Sequence, residues 1–115
     1  KIVNFSSIAG HGQSEASSAY AAAKAGIMAF TKKVAREAGP YGITCNAIAP
    51  GRTLTERIER RWEQMSEEAK QRSVEAVPLG RLAQPEDQAK VVAFLASADA
   101  DYVTGVTIDV SGGRY

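Results

Sequence analysis

A chain of 115 residues, 44% hydrophobic and 23% charged, has the make-up of one ordinary globular domain. Its net charge of +1 gives no reason to expect nucleic acid or an anionic membrane as partner, and no apolar run approaches the ~20 residues that span a bilayer. One Cys, one His and no carboxylate pair at ligand spacing exclude an intrachain disulfide and a metal centre, and the expected compartment is the cytoplasm.

The first predicted element is a strand at residues 2–6, carrying Ile2, Val3 and Phe5. Lys1 enters it directly with no initiator Met, which suggests a cut or processed beginning. A polar loop rich in Gly and Ser holds Ser7 and His11, the latter read as a solvated loop residue. An alanine-rich helix is predicted over 18–38, with Ala23, Ile27, Phe30 and Val34 at helical spacing and Gly39-Pro40 closing it. Residues 43–49 predict a second strand, apolar enough to be buried on both faces, with Cys45 inside it as a buried thiol and Asn46 as a structural hydrogen-bonder. Thr53 and Glu56 have the spacing of a capping box, opening an amphipathic helix that carries Leu54, Ile58, Trp62, Met65 and Ala69. Its many charges read as a solvated face laced with i,i+4 pairs. A break is expected near Gln64–Ser66, where Ser66 caps a second helix. Pro78 and Gly80 mark a loop. Gln84-Pro85-Glu86-Asp87 starts a helix running to about Ser97, with Pro at its first position and acids where the dipole is positive. A turn at Tyr102–Thr104 leads to a last strand at 106–110, ended by Ser111-Gly112-Gly113. Strands alternating with helices predict an α/β fold with a parallel sheet, in one domain over 1–115.

Chemistry concentrates in the first third of the chain. Tyr20 and Lys24 are four residues apart on a helix and so share a face. An ammonium beside a phenol stabilises the phenolate left when the proton departs, which suits the pair to proton donation. Ser7, at the carboxyl end of the first strand, can hydrogen-bond the oxygen that receives that proton. Tyr20 also fits a ring packed on its helix with a wet hydroxyl, and Lys24 a snorkelling stem. Pro50-Gly51 lies just past a strand end, where open parallel sheets bind ligands, and serves equally as loop punctuation.

The whole set resembles the short-chain dehydrogenase/reductase family, on its 3-oxoacyl-[acyl-carrier protein] reductase-like branch. Ser6-Ser7 after a strand, Tyr20-x-x-x-Lys24, Asn46-x-x-x-Pro50-Gly51, and Thr104-Gly105 with Gly112-Gly113 carry the resemblance across essentially all 115 residues. It implies half of a Rossmann-type doubly wound sheet, the carboxyl-terminal half: three parallel strands, a crossover helix on each face, and a helical substrate lid over 53–77. It implies an oxidoreductase moving a hydride between NAD or NADP and a small-molecule carbonyl or alcohol, with Ser7, Tyr20 and Lys24 catalytic. Lys24 would also hold the nicotinamide ribose, Pro50-Gly51 would lie along the nicotinamide, Thr53 would meet the carboxamide through its backbone, and Thr55 would reach the pyrophosphate. Trp62, Met65 and His11 are the candidates to border the substrate. The family's glycine-rich diphosphate turn finds no match in these residues.

That half-match implies an open edge on the 2–6 strand, and with it a homo-oligomer joined through that strand or through the 18–38 helices, or else an N-terminal half supplied elsewhere. Two further readings follow: a non-catalytic self-associating module, and a half-fold turned to ester hydrolysis through Ser7 with Lys24.

Overall fold

The computed structural model describes residues 1–12 and 14–114. Three parallel strands form its sheet in the order β1 (Ile2–Phe5), β2 (Cys45–Pro50), β3 (Thr107–Val110). Ile2 stands opposite Cys45, and Ile48 opposite both Phe5 and Ile108. The long helix α1 (Ser18–Ala38) joins β1 to β2, and α2 (Glu56–Glu63), α3 (Glu67–Glu75) and α4 (Pro85–Ala96) lie between β2 and β3. These are the expected α/β class and connectivity.

Side-chain alternation along β2 sends Cys45 and Ala47 to one face and Asn46 and Ile48 to the other. On the first face Asn4 Nδ2 donates to Thr31 Oγ1 of α1 at 3.0 Å and to Cys45 Sγ at 3.6 Å. On the second face Ile48 packs against Leu95 of α4 and Ala100, all fully buried, with Val3, Val92 and Ile108 around them. Burying Ile48 contributes about 2 kcal/mol. The two crossovers step the same way across the sheet yet lie on opposite faces, so they have opposite hands and one departs from the usual right-handed connection.

β2 starts two residues later than expected and includes Pro50. Ile43 is part-exposed and its N–H bonds the Ala38 carbonyl, so residues 43–44 belong to the exit from α1 instead. From Thr44 to Ala49 every residue is buried, as a central parallel strand requires. Burial pushes the Cys45 thiol up, which keeps it protonated and inert.

Helix α1 has its predicted bounds, capped by the Ser17 hydroxyl accepting from Tyr20 N–H. Of the predicted stripe, Ile27 and Val34 are half-buried, but Ala23 and Phe30 are not part of the inward face. Thr31 and Ala35 are buried and Met28 half-buried, while Ala23 and Phe30 are exposed. A helix with alanine on nearly every side gives apolar periodicity little contrast, and the bond from the Asn4 amide holds Thr31 on the face turned to the sheet. The loop after β1 closes as a 3₁₀ turn, Ile8–His11, laid against α1. Gly10 permits that approach: a Cβ there would stand 2.9 Å from Ala25 N and Lys24 C.

The capping box at Thr53 does not form. Thr55 is the N-cap residue of α2, without a side-chain cap bond. The Thr53 hydroxyl donates to the Gly51 carbonyl at 3.2 Å, and Thr53 forms a parallel bridge to Ala83. The break at Gln64–Ser66 is present, with the Ser66 hydroxyl accepting from Ala69 N–H. Leu54, Ile58, Trp62, Met65 and Ala69 are all half-buried, so the predicted stripe holds across both short helices. Within α2, Glu56 pairs with Arg60, and within α3, Glu67 pairs with Lys70 at 2.7 Å. Asp87 at the start of α4 accepts from Gln84 N–H at 2.8 Å, closing the expected N-terminus. β3 begins one residue later than predicted, at Thr107. No helix among the described residues is long and apolar enough to cross a membrane.

Candidate active site

A cleft of about 830 Å³ opens at the carboxyl ends of β1 and β2. Open parallel sheets present their strand-end loops here, and residues distant in sequence converge. Phe5, Ser6 and Ser7 come from the end of β1, and Tyr20 and Lys24 from the first turns of α1. Pro50, Gly51, Thr53 and Thr55 come from the segment between β2 and α2. All three proposed catalytic residues and all the proposed cofactor-binding residues therefore line one cavity.

The lysine is held at both ends. Its Nζ donates to the Phe5 carbonyl at 3.0 Å and sits 5.6 Å from the centroid of the Tyr20 ring, within cation–π range. Its main-chain carbonyl accepts from the buried Ser6 hydroxyl at 2.7 Å. Tyr20 is 47% exposed, so its phenol faces the open cleft and not the core. Ser7 has extended backbone and caps the 3₁₀ turn, its Oγ accepting from Ala9 N–H at 3.2 Å. That bond uses one lone pair and leaves the hydroxyl proton free to be donated. Ser7 and Lys24 make no hydrogen bond to one another among the described residues.

Gly51 is required by space. A Cβ would lie 2.9 Å from Ser111 Cα, where the ends of β2 and β3 meet. Asn46 has the structural role expected of it: its Nδ2 donates to the Val103 carbonyl at 2.8 Å and its Oδ1 accepts from Val106 N–H at 3.2 Å, fixing the loop that leads into β3.

Three candidates fall elsewhere. His11 does not line the cleft; its Nε2 lies 2.9 Å from Asp109 Oδ1 of β3, on an exposed surface. Trp62 and Met65 lie on the half-buried stripe of the α2–α3 segment and are not in the cleft wall, where Thr55 and Ile58 stand instead. Two polar lining residues escape the sequence reading, Arg52 and Gln88. Arg52 also borders a second cavity of about 290 Å³ near Arg81, Asp109 and Ser111, and its Nη1 donates to Ser73 Oγ at 3.1 Å. Gln88 shares its face of α4 with Val91, Val92 and Leu95, and an amide on an otherwise apolar stripe was the available signal. Among the described residues no group of three or more metal-ligating side chains comes together.

Residues 1–114 match the family described as enoyl-(acyl carrier protein) reductase. The chain is 42% identical over 114 residues to a (3R)-3-hydroxyacyl-CoA dehydrogenase of Rattus norvegicus, covering 99% of this chain and 42% of that protein. Its fold superposes on the crystal structure of a 3-oxoacyl-[acyl-carrier protein] reductase from Brucella melitensis with a TM-score of 0.89 at 43% identity, covering 99% of this chain and 41% of that one. A second such reductase from Brucella melitensis, solved with bound NAD, gives 0.85 at 43% identity, covering 99% and 40%. The chain thus spans less than half the length of these relatives. With its parallel sheet and its Ser7, Tyr20 and Lys24 gathered at the strand ends, the chain belongs to the enoyl-(acyl carrier protein) reductase family of short-chain dehydrogenases/reductases.

Proposed function

We propose that this chain carries the catalytic, nicotinamide-facing half of an NAD(P)-dependent reductase acting on 3-oxoacyl thioesters. One observation carries the reading: Ser7, Tyr20, Lys24 and the Pro50–Thr55 turn share one cleft at the strand ends. The substrate class comes from the relatives, whose names pair a 3-hydroxyacyl-CoA with a 3-oxoacyl-[acyl-carrier protein]. On this reading the chain corresponds to the carboxyl-terminal half of such an enzyme, and residues 53–77 act as its substrate lid.

The residues present fit a nicotinamide end. The cleft is large enough for the ring and its ribose, Gly51 lines it where β2 closes on Ser111, and Gln88 Oε1 is a buried acceptor with no partner among the described residues. When bound, reduced nicotinamide supplies a hydride to the carbonyl carbon. Tyr20 gives its phenolic proton to the carbonyl oxygen, and Ser7 Oγ–H steadies that oxygen as charge develops on it. Lys24, fixed by Phe5 and Ser6, keeps a positive charge beside the phenolate that results and presents its remaining donors to the ribose. Pro50, Gly51 and Thr53 would hold the ring, and Thr55 would meet the diphosphate.

The test is reduction of acetoacetyl-CoA with NADH or NADPH, followed as loss of reduced-nicotinamide absorbance, in the full-length protein containing this chain. Turnover that Tyr20→Phe abolishes supports the reading; turnover near wild type in Tyr20→Phe overturns it.

Association is part of the same proposal. Among the described residues the outer edge of β1 has no neighbouring strand, Ile2 on that strand is 37% exposed, and Phe30 of α1 is 60% exposed. These surfaces favour a homo-oligomer of the chain, formed through the β1 edge or the α1 face, or cover from the remainder of a longer polypeptide. A monomer by light scattering, unchanged by Phe30→Glu, would argue against self-association.

A further inference from the structure

Gln88 is 93% buried and lies in the wall of the cleft. Its side-chain amide can be accounted for atom by atom. Nε2 donates one hydrogen to the Val110 carbonyl at 3.0 Å and the other to Thr53 Oγ1 at 3.2 Å. Thr53 spends its own hydroxyl proton on the Gly51 carbonyl, so toward Gln88 it is an acceptor only. The orientation of the amide is therefore fixed: turned over, its oxygen would face the Val110 carbonyl, acceptor against acceptor. Oε1 is left buried with no donor from any described residue.

Native structures rarely keep an acceptor dry and unpaired, and each exception calls for a functional role or a partner still to bind. The neighbourhood here is the turn from Gly51 to Thr53, to which the nicotinamide ring is assigned above, and this inference rests on that reading. The ring's primary carboxamide is its only N–H donor. We propose that Gln88 is a cofactor-binding residue: its Oε1 accepts a hydrogen bond from the nicotinamide carboxamide, while its Nε2 pins Thr53 and Val110 to hold that turn in place. Gln88 thus reads the carboxamide directly and selects against ring analogues that lack its N–H groups.

The test compares reduced nicotinamide mononucleotide with its 3-acetylpyridine counterpart, which keeps the carbonyl and loses the N–H donors. Neither probe needs a diphosphate site. Both are titrated by NMR into the wild-type chain and into Gln88→Met. The wild type is expected to bind the carboxamide form about five- to tenfold more tightly, the worth of one hydrogen bond. In Gln88→Met the ratio should fall to about one. In the wild type alone, the Gln88 side-chain carbonyl carbon should move downfield with the carboxamide probe and stay in place with the acetyl probe. That second readout stands if the Met variant does not fold.

Equal affinities in the wild type, a preference that survives Gln88→Met, or a motionless Gln88 carbonyl would overturn the inference while leaving the nicotinamide site intact. A purely structural Gln88 would give such a result, with a lower melting temperature in Gln88→Met and no change in the ratio. Failure of both probes to bind at millimolar concentration would remove the nicotinamide reading of the cleft, and this inference with it.

Discussion

The Ser6 hydroxyl donates to the main-chain carbonyl of Lys24 at 2.7 Å, and the lysine's own Nζ returns to the carbonyl of Phe5 at 3.0 Å. Strand end and helix are thereby laced together at a lysine that lines the cleft. Ser6→Ala removes the buried donor, and its cost should be about 1 kcal/mol, read as a lower denaturation midpoint with an unchanged slope. A wild-type midpoint would show that the bond contributes nothing net.

Tyr20 and Lys24 should fail in different ways. Tyr20→Phe takes away the proposed proton donor and is expected to lower kcat by about 10²–10⁴ with little change in cofactor binding. Lys24→Ala removes both the charge beside Tyr20 and the proposed ribose partner, so kcat is expected to fall and KM for the cofactor to rise together. Identical kinetic signatures from the two variants would contradict separate roles.

Gly51→Ala tests the close approach of β2 to Ser111. A methyl group 2.9 Å from Ser111 Cα meets backbone, which cannot swing aside, so the strand ends must part. A loss of about 1–3 kcal/mol is expected, along with weaker ligand binding in the cleft that Gly51 lines. Thermal denaturation and probe titration measure the two effects, and a neutral result in both would mean the strand ends yield easily.

Arg81 makes a two-pronged contact with Asp87, at 2.6 and 2.9 Å. The guanidinium, and after it the Gln84 N–H, hold the Asp87 carboxyl well below the usual carboxylate range. A carboxyl depressed in the folded state stabilises the fold above its unfolded pKa of about 4, and that contribution fades as pH falls through the lower folded value. Urea midpoints of wild type and Asp87→Asn should therefore differ at pH 7 and converge below about pH 4. A gap that stays constant to low pH would show that the ion pair is not its source.

Much of this site was legible in the sequence because its geometry is local. Tyr20 and Lys24 need only a helix to become neighbours, and Ser17 and Gly39-Pro40 bracket that helix plainly. What was not legible depends on tertiary competition. Thr53 has the spacing of a helix cap, but Gly51 and Gln88 claim its hydroxyl, and the helix starts at Glu56 instead. His11 sits in the loop after Ser7, yet Asp109, nearly a hundred residues on, draws it away from the cleft. Phe30 fits the apolar period of α1 but lies off the face that Thr31 turns toward Asn4. Gln88 becomes informative only once Val110 and Thr53 are seen to occupy its amide nitrogen.

On the proposed reading, the cleft at the ends of β1 and β2 receives a nicotinamide ring beside Tyr20 and Lys24. Titration of reduced nicotinamide mononucleotide into the isotope-labelled chain, followed by backbone amide NMR, tests it most directly. Saturable shifts are expected, concentrated at Ser7, Lys24, Gly51 and Thr53. An unresponsive cleft, or shifts centred on the smaller cavity beside Arg81 and Asp109, would contradict it.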